Sequence, residues 1–224
     1  MFAIKRSKNY LIIYRLIQFI FIPFLKIVYR VEVINEKKLS DIPKGGLVLC
    51  CNHVSSLDPI VLCCFFPRPV YLMGKIELFR NRFVRAILGF VNSFPVNRQG
   101  VGRNSIAKAA EVLKAGNVFG IFPEGTRSAD GEIGETRRGV GLVAYLGNVP
   151  ILPVAIYNSK KDPRKNIDSK KYLFLKVKII YGEIIDTEAI LSKYPKKEAI
   201  DIISEMVMDN IKILYSKFEE GINY

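Results

Sequence analysis

The residue best suited to chemistry in this chain is His53, its single histidine. It stands in Asn52-His-Val-Ser-Ser-Leu-Asp58, directly after the apolar run Leu47 to Cys51. An imidazole titrates near pH ~6.5, so a modest change of environment makes it a general base at neutral pH. Asp58 has the type and spacing to accept the Nδ1–H and fix the tautomer, provided that the intervening loop folds back. Asp58 is also expected at the N-cap of the next helix, with Pro59 at the first helical position. The bland alternative is a helix cap beside a satisfied, buried histidine. A base and an orienting acid at matched spacing argue against it. Ser55 and Ser56 raise the possibility of a covalent intermediate, but no Gly-x-Ser-x-Gly elbow occurs, and direct attack by a substrate hydroxyl is the simpler chemistry.

A second constellation is Phe122-Pro-Glu-Gly-Thr-Arg-Ser128, again at the exit of an apolar run. Gly125 permits close backbone approach, and Arg127 offers a planar fork suited to a phosphate monoester. Glu124 is costly beside a phosphate unless it has another partner, such as a substrate hydroxyl or a neighbouring arginine. As a bare pattern Glu-Gly-Thr-Arg is also an ordinary turn, so its meaning depends on its company. The cysteines occur as two adjacent pairs, Cys50-Cys51 and Cys63-Cys64. Neighbours on a strand face opposite ways and cannot easily converge on one ion, so no metal site is expected and the four read as apolar fillers.

Together, Asn52 to Asp58 and Phe122 to Ser128 closely resemble two signature blocks of the glycerolipid acyltransferases, especially the lysophosphatidic acid (1-acylglycerol-3-phosphate) acyltransferase family. Lys75, Glu77 and Leu78, followed by Phe94-Pro-Val-Asn-Arg98, resemble that family's second block. Val149-Pro-Ile-Leu-Pro-Val-Ala155 resembles its fourth. The resemblance spans about residues 45 to 157, with all four blocks in order. It implies His53 as base and Asp58 as its partner, with Lys75, Arg98 and Arg127 toward the substrate phosphate. Glu124 and Gly125 would shape the glycerol-phosphate pocket. The implied reaction moves an acyl chain from an acyl carrier protein or coenzyme A thioester to the sn-2 hydroxyl of lysophosphatidate, giving phosphatidate. It needs no metal, no cofactor and no covalent enzyme intermediate. Backbone N–H groups near Gly125 are one candidate for the oxyanion donors. An acceptor that is another lysolipid or a lipid-linked amino acid is the alternative within the same chemistry, and a non-catalytic basic protein that binds membrane or nucleic acid is the alternative outside it. Two departures stand out: Asn97, where family members often carry Asp, and Thr136-Arg137-Arg138-Gly139, where an aromatic-basic-Gly run is commoner.

Such residues need a scaffold. Short Val- and Ile-rich runs predict strands at Val31–Ile34, Leu47–Cys51, Val70–Met73, Val118–Phe122, Ile151–Tyr157 and Phe174–Tyr181. Helices are expected at Asp58–Phe65, Asn81–Leu88, Arg103–Lys114, Gly139–Leu146 and Lys196–Glu219. This alternation reads as an α/β domain with a mixed, mostly buried sheet flanked by helices. The domain is assigned residues 31–224, with residues 160–171 as an exposed basic loop.

Residues 1–30 are read as a separate membrane-associating segment. Lys5, Arg6 and Lys8 precede an apolar stretch from Tyr10 to Tyr29, interrupted by Arg15, Gln18, Pro23 and Lys26. On a wheel of about 100° per residue, Lys8, Arg15, Gln18, Lys26 and Arg30 share a sector of roughly 120°. That pattern fits a helix kinked at Pro23, lying in the membrane interface with this basic stripe toward the headgroups. A helix packed on the protein's own core is the competing reading. With 224 residues, 25% of them charged, and a net charge of +13, the chain is a folded domain that favours polyanionic partners. An anionic membrane surface, or the polyanionic donor, fits that charge. Nucleic acid is not expected, since no zinc-finger or aromatic RNA-binding signature appears. Cysteine usage points to a reducing compartment, which places the chain at the cytoplasmic face of the membrane, monotopic or peripheral.

Overall fold

The computed structural model describes residues 8–90, 92–96, 103–128, 131–158 and 176–219. Seven strands form one sheet in the order β1-β7-β6-β2-β5-β3-β4. They are β1 (Glu32–Ile34), β2 (Leu47–Cys51), β3 (Val70–Lys75), β4 (Ser93–Val96), β5 (Val118–Ile121), β6 (Ile151–Asn158) and β7 (Val177–Tyr181). All pairings are parallel except β6 with β7, so the sheet is mixed, as expected. The helices are α1 (Lys8–Val28), α2 (Asp58–Phe65), α3 (Arg82–Phe90), α4 (Arg103–Lys114), α5 (Gly139–Gly147), α6 (Glu188–Lys193) and α7 (Lys196–Glu219). The start proposed for the last strand, Phe174, lies outside the described residues.

The strand β2 shows why the sheet sits where it does. Its side chains alternate strictly, Leu47, Leu49 and Cys51 entering one core and Val48 and Cys50 the other. On the first face lie α2, with Val61 and Leu62, and one stripe of α1. On the second lie α4, α5 and α7, through residues such as Leu113, Val143 and Ile203. A strand covered on both sides is expected to be largely apolar, and β2 and β6 are buried along their whole length, with Asn158 at the end of β6 the polar exception.

Helices α5 and α7 touch closely at Gly141. Its N–H donates to Ser204 Oγ (3.2 Å), and that hydroxyl donates to Ile200 O (2.8 Å). A Cβ here would stand 2.2 Å from Ile200 O and 2.6 Å from Ser204 Oγ. A backbone oxygen cannot rotate away, so Gly141→Ala must part the helices. Overpacking of this kind costs about 1–3 kcal/mol, against the ~1 kcal/mol that alanine returns in helix propensity. A net fall in Tm is the expected result of thermal unfolding, and an unchanged or raised Tm would show that the helices part without strain.

Helix α1 differs from expectation in the direction of its polar side. It runs unbroken through Pro23, and its buried stripe is Tyr14, Gln18 and Leu25. Gln18 is 4% exposed; its Nε2 donates to Cys63 O (3.2 Å), Cys64 O (3.0 Å) and Phe66 O (3.0 Å). The Tyr14 hydroxyl also donates to Cys63 O, and Arg15 reaches Pro67 O at 2.7 Å. The carbonyls of Cys63, Cys64 and Phe66 are among those that a helix leaves unpaired at its C-terminal end, here the end of α2, and Pro67 follows them directly. Gln18 thus faces the protein and not the headgroups, because α2 presents acceptors that only polar side chains satisfy. The apolar face is the exposed one: Phe19, Ile20 and Ile27 are 79%, 67% and 72% exposed, and Leu16 and Phe24 lie beside them. The span Leu11–Val28 is long and apolar enough to cross a bilayer.

Candidate active site

Strands β2 and β5 lie side by side and parallel, so both motifs leave the sheet at the same edge. This is the crevice beyond the carboxyl ends where open α/β sheets hold ligands. Asn52 fixes the first step out of β2. Buried, it pairs with the backbone of β6, donating Nδ2–H to Ile156 O (2.9 Å) and accepting from Ile156 N (2.7 Å).

The loop then folds back on Asp58 as the spacing predicted. Asp58 Oδ2 accepts from His53 Nδ1 (2.9 Å), Val54 N (2.8 Å) and Ser55 N (2.7 Å). Asp58 is not the cap of α2 but its first residue, Leu57 preceding it, and its carboxylate turns back to the loop. Ser55 Oγ is engaged locally, accepting from Leu57 N at 3.2 Å. With Nδ1–H committed to a carboxylate, the neutral ring keeps Nε2 as its basic atom. The ring is 8% exposed and lies against Phe122, centroids 4.1 Å apart and planes 22° from parallel.

The second motif clamps the His53 backbone from both sides. Glu124 Oε1 accepts from His53 N (2.9 Å), Glu124 Oε2 from Gly134 N (3.4 Å), and Ser128 N donates to His53 O (2.8 Å). Burial pushes the Glu124 carboxyl up, and the two amide hydrogen bonds oppose that shift. The partners that Glu124 has in the structure are the backbone N–H groups of His53 and Gly134. Gly125 adopts φ +71, a left-handed geometry that favours glycine, and its N–H is spent on Phe122 O (3.1 Å) instead of standing free for an oxyanion. A Cβ on Gly125 would stand 3.0 Å from Arg137 Cδ and Nε.

Beside His53 opens a cavity of about 490 Å³, walled by Met73, Val96, Ile106, Phe119, Ile121, Val140 and Leu142, with Gly125, Thr126, Arg137 and Arg138 at its polar side. Its apolar length suits a hydrocarbon chain. Lys75, at the end of β3, and Arg127 are exposed and outside this lining; Asn97 and Arg98 fall outside the described residues. Among the described residues, the basic side chains that line the cavity besides His53 are Arg137 and Arg138. The signal for them in the sequence was two arginines directly ahead of the apolar run that becomes α5. Arg138 donates from Nε and Nη2 to the two carboxylate oxygens of Asp201 on α7. Cys50 and Cys51 face opposite cores, and burial raises the thiols of Cys50, Cys51 and Cys63, with Cys64 pushed up to about 12.

Comparison with known proteins agrees with this architecture. Residues 30–157 match the family described as Acyltransferase. The chain is 32% identical over 193 residues to the 1-acyl-sn-glycerol-3-phosphate acyltransferase of Bacillus subtilis, covering 85% of this chain and 90% of that one. It is 29% identical over 173 residues to the protein of the same name from Borreliella burgdorferi, covering 76% and 68%. The crystal structure of the 1-acyl-sn-glycerophosphate (LPA) acyltransferase PlsC from Thermotoga maritima superposes with a TM-score of 0.60 at 25% identity, covering 83% of this chain and 72% of that one.

Proposed function

Since the chain belongs to the acyltransferase family, we propose that it transfers an acyl group from a thioester to the sn-2 hydroxyl of lysophosphatidate, releasing phosphatidate and a free thiol. The observation that supports this best is the His53–Asp58 hydrogen bond at the edge of an apolar cavity. His53 Nε2 takes the hydroxyl proton as the oxygen attacks the thioester carbonyl. The tetrahedral intermediate then expels the thiolate, which recovers the proton from the imidazolium. Asp58 holds the tautomer and stabilises the transient positive charge. The acyl chain lies along the apolar walls. No cofactor beyond the thioester, from acyl carrier protein or coenzyme A, enters this scheme.

Lys75, Arg98 and Arg127 are assigned to the acceptor's phosphate, which carries about −1.5 to −2 charges. A charge-assisted hydrogen bond is worth roughly 1.5–3 kcal/mol, so Arg127→Ala is expected to raise KM for lysophosphatidate by about tenfold or more and leave KM for the thioester alone. Equal effects on both substrates would remove Arg127 from the acceptor site. Glu124 and Gly125 shape the pocket indirectly, by fixing the loop that carries His53. Residues 1–30 form the membrane-associating segment and residues 31–224 the catalytic domain, at the cytoplasmic face. The exposed apolar side of α1 supports that division.

The direct test is transfer from a radiolabelled acyl thioester to lysophosphatidate in vesicles. Labelled phosphatidate is the expected product. Release of free fatty acid with no phosphatidate would mean that water, not the lipid hydroxyl, is the acceptor.

A further inference from the structure

The motif that grips the His53 backbone has a second segment of chain laid across it. Gly134 N donates to Glu124 Oε2 (3.4 Å), and Arg137 N donates to Pro123 O (2.9 Å). From that second anchor the Arg137 side chain crosses Gly125. A Cβ on the glycine would stand 3.0 Å from Arg137 Cδ and Nε and 3.3 Å from Cζ. Gly125 therefore answers two demands, a left-handed φ and room for this guanidinium. One motif thus fixes both the base and the stem of Arg137.

Two arginines precede α5, and their charges are met differently. Arg138 donates to both carboxylate oxygens of Asp201. The Arg137 guanidinium is exposed and has no ion-pair or hydrogen-bond partner among the described residues. It stands at the polar side of the cavity that also holds His53, whereas Lys75 and Arg127 lie outside that lining. A planar fork of N–H donors with no acceptor of its own matches the oxygens of a phosphate monoester.

The chemistry of the acceptor calls for a cation at this place. In lysophosphatidate the phosphate is only a few bonds from the sn-2 hydroxyl. With that hydroxyl at His53 Nε2, the phosphate lies in the same cavity or at its mouth. Apolar walls such as Met73, Val96 and Phe119 cannot solvate a dianion. They suit hydrocarbon, which leaves the side with Thr126 and Arg137 for the headgroup.

We propose that Arg137 binds the phosphate of the lysophosphatidate acceptor and so holds its sn-2 hydroxyl against His53. This rests on the acyl transfer proposed above, and adds Arg137 to the residues assigned to that phosphate.

The test compares the wild type with Arg137→Ala and Arg137→Lys in initial-rate transfer. In Arg137→Ala, KM for lysophosphatidate should rise by about tenfold or more, with kcat and KM for the thioester near their wild-type values. Arg137→Lys keeps the charge without the fork and should recover part of the loss. Thermal unfolding runs in parallel. If the alanine variant loses Tm, Arg137→Gln, which keeps the stem over Gly125 and removes the charge, should show the same rise in KM. A fall in kcat at unchanged KM would place the guanidinium on the tetrahedral oxyanion and overturn the proposal. Binding is measured separately with a lysophosphatidate lacking its sn-2 hydroxyl, which cannot be acylated, and with the same compound lacking phosphate. Arg137→Ala should weaken the first by a similar factor and leave the second alone. Equal weakening of both would mean that Arg137 only shapes the wall, which also overturns the proposal. Arginine-dependent binding of the phosphate compound by a protein that forms no phosphatidate would keep this site and sink the reaction. Phosphatidate formation with an unchanged KM in Arg137→Ala would do the reverse.

Discussion

Replacing His53 with alanine is expected to lower phosphatidate formation by about 10²–10⁴-fold from the lost proton transfer alone. The structure explains why nothing nearby substitutes for it. It is the chain's only histidine, and the neighbouring Glu124 carboxylate is committed to the His53 and Gly134 amides. The Ser55 hydroxyl is tied to the Leu57 N–H, and the cysteines are sealed in the two cores. Because the backbone of residue 53 is gripped through its N–H and C=O, the variant should keep the loop in place. The measurement is initial-rate transfer with thermal unfolding run in parallel. A variant that retains its Tm and more than a tenth of wild-type activity would show that His53 is not the base.

Asp58 separates into a structural and a chemical duty, and two substitutions should pull these apart. One oxygen accepts from His53 Nδ1 and from the amides of Val54 and Ser55. Asp58→Ala strands those donors in a buried loop, at about 1–3 kcal/mol for each group left unsatisfied. A fall in Tm is expected together with loss of activity. Asp58→Asn can offer its amide oxygen to the same donors, so stability should be largely kept. The negative charge opposite the imidazolium is gone, and kcat/KM should fall by roughly 10²–10⁴-fold. Matching rates for Asn and wild type would mean that Asp58 only shapes the loop.

What the sequence made readable follows from burial on both sides. Strand β2 and the helix bounds of α2, α4 and α7 were legible because apolar runs and helical periodicity are local signals. Strand β4 was not: it is four residues long, pairs among the described residues only with β3, and contains Pro95, which a sheet edge tolerates because the missing N–H needs no partner there. The His53–Asp58 contact was legible because the partners stand only five residues apart. The partner of Glu124 was not, since Gly134 and His53 meet it only through the pairing of β2 with β5. Arg137 and Arg138 likewise reach the cavity through the packing of α5, which no spacing rule encodes. For α1 the wheel found the polar sector, yet a wheel holds no information about which side the rest of the protein occupies.

That orientation bears on how such an enzyme is brought into aqueous solution. The usual remedy for a greasy leading segment is to cut it off. Here the cut would strip Tyr14 and Gln18 from the carbonyls of Cys63, Cys64 and Phe66, uncapping the helix whose opposite end holds Asp58. The truncated protein would trade one sticky surface for a frayed support beneath His53 and Asp58. Recoding the outward positions, Leu16, Phe19, Ile20, Phe24 and Ile27, to polar residues leaves the inward stripe untouched. The exposed apolar face and the buried polar stripe of α1 sit on different sides of one cylinder, so the first can be recoded residue by residue where deletion removes both.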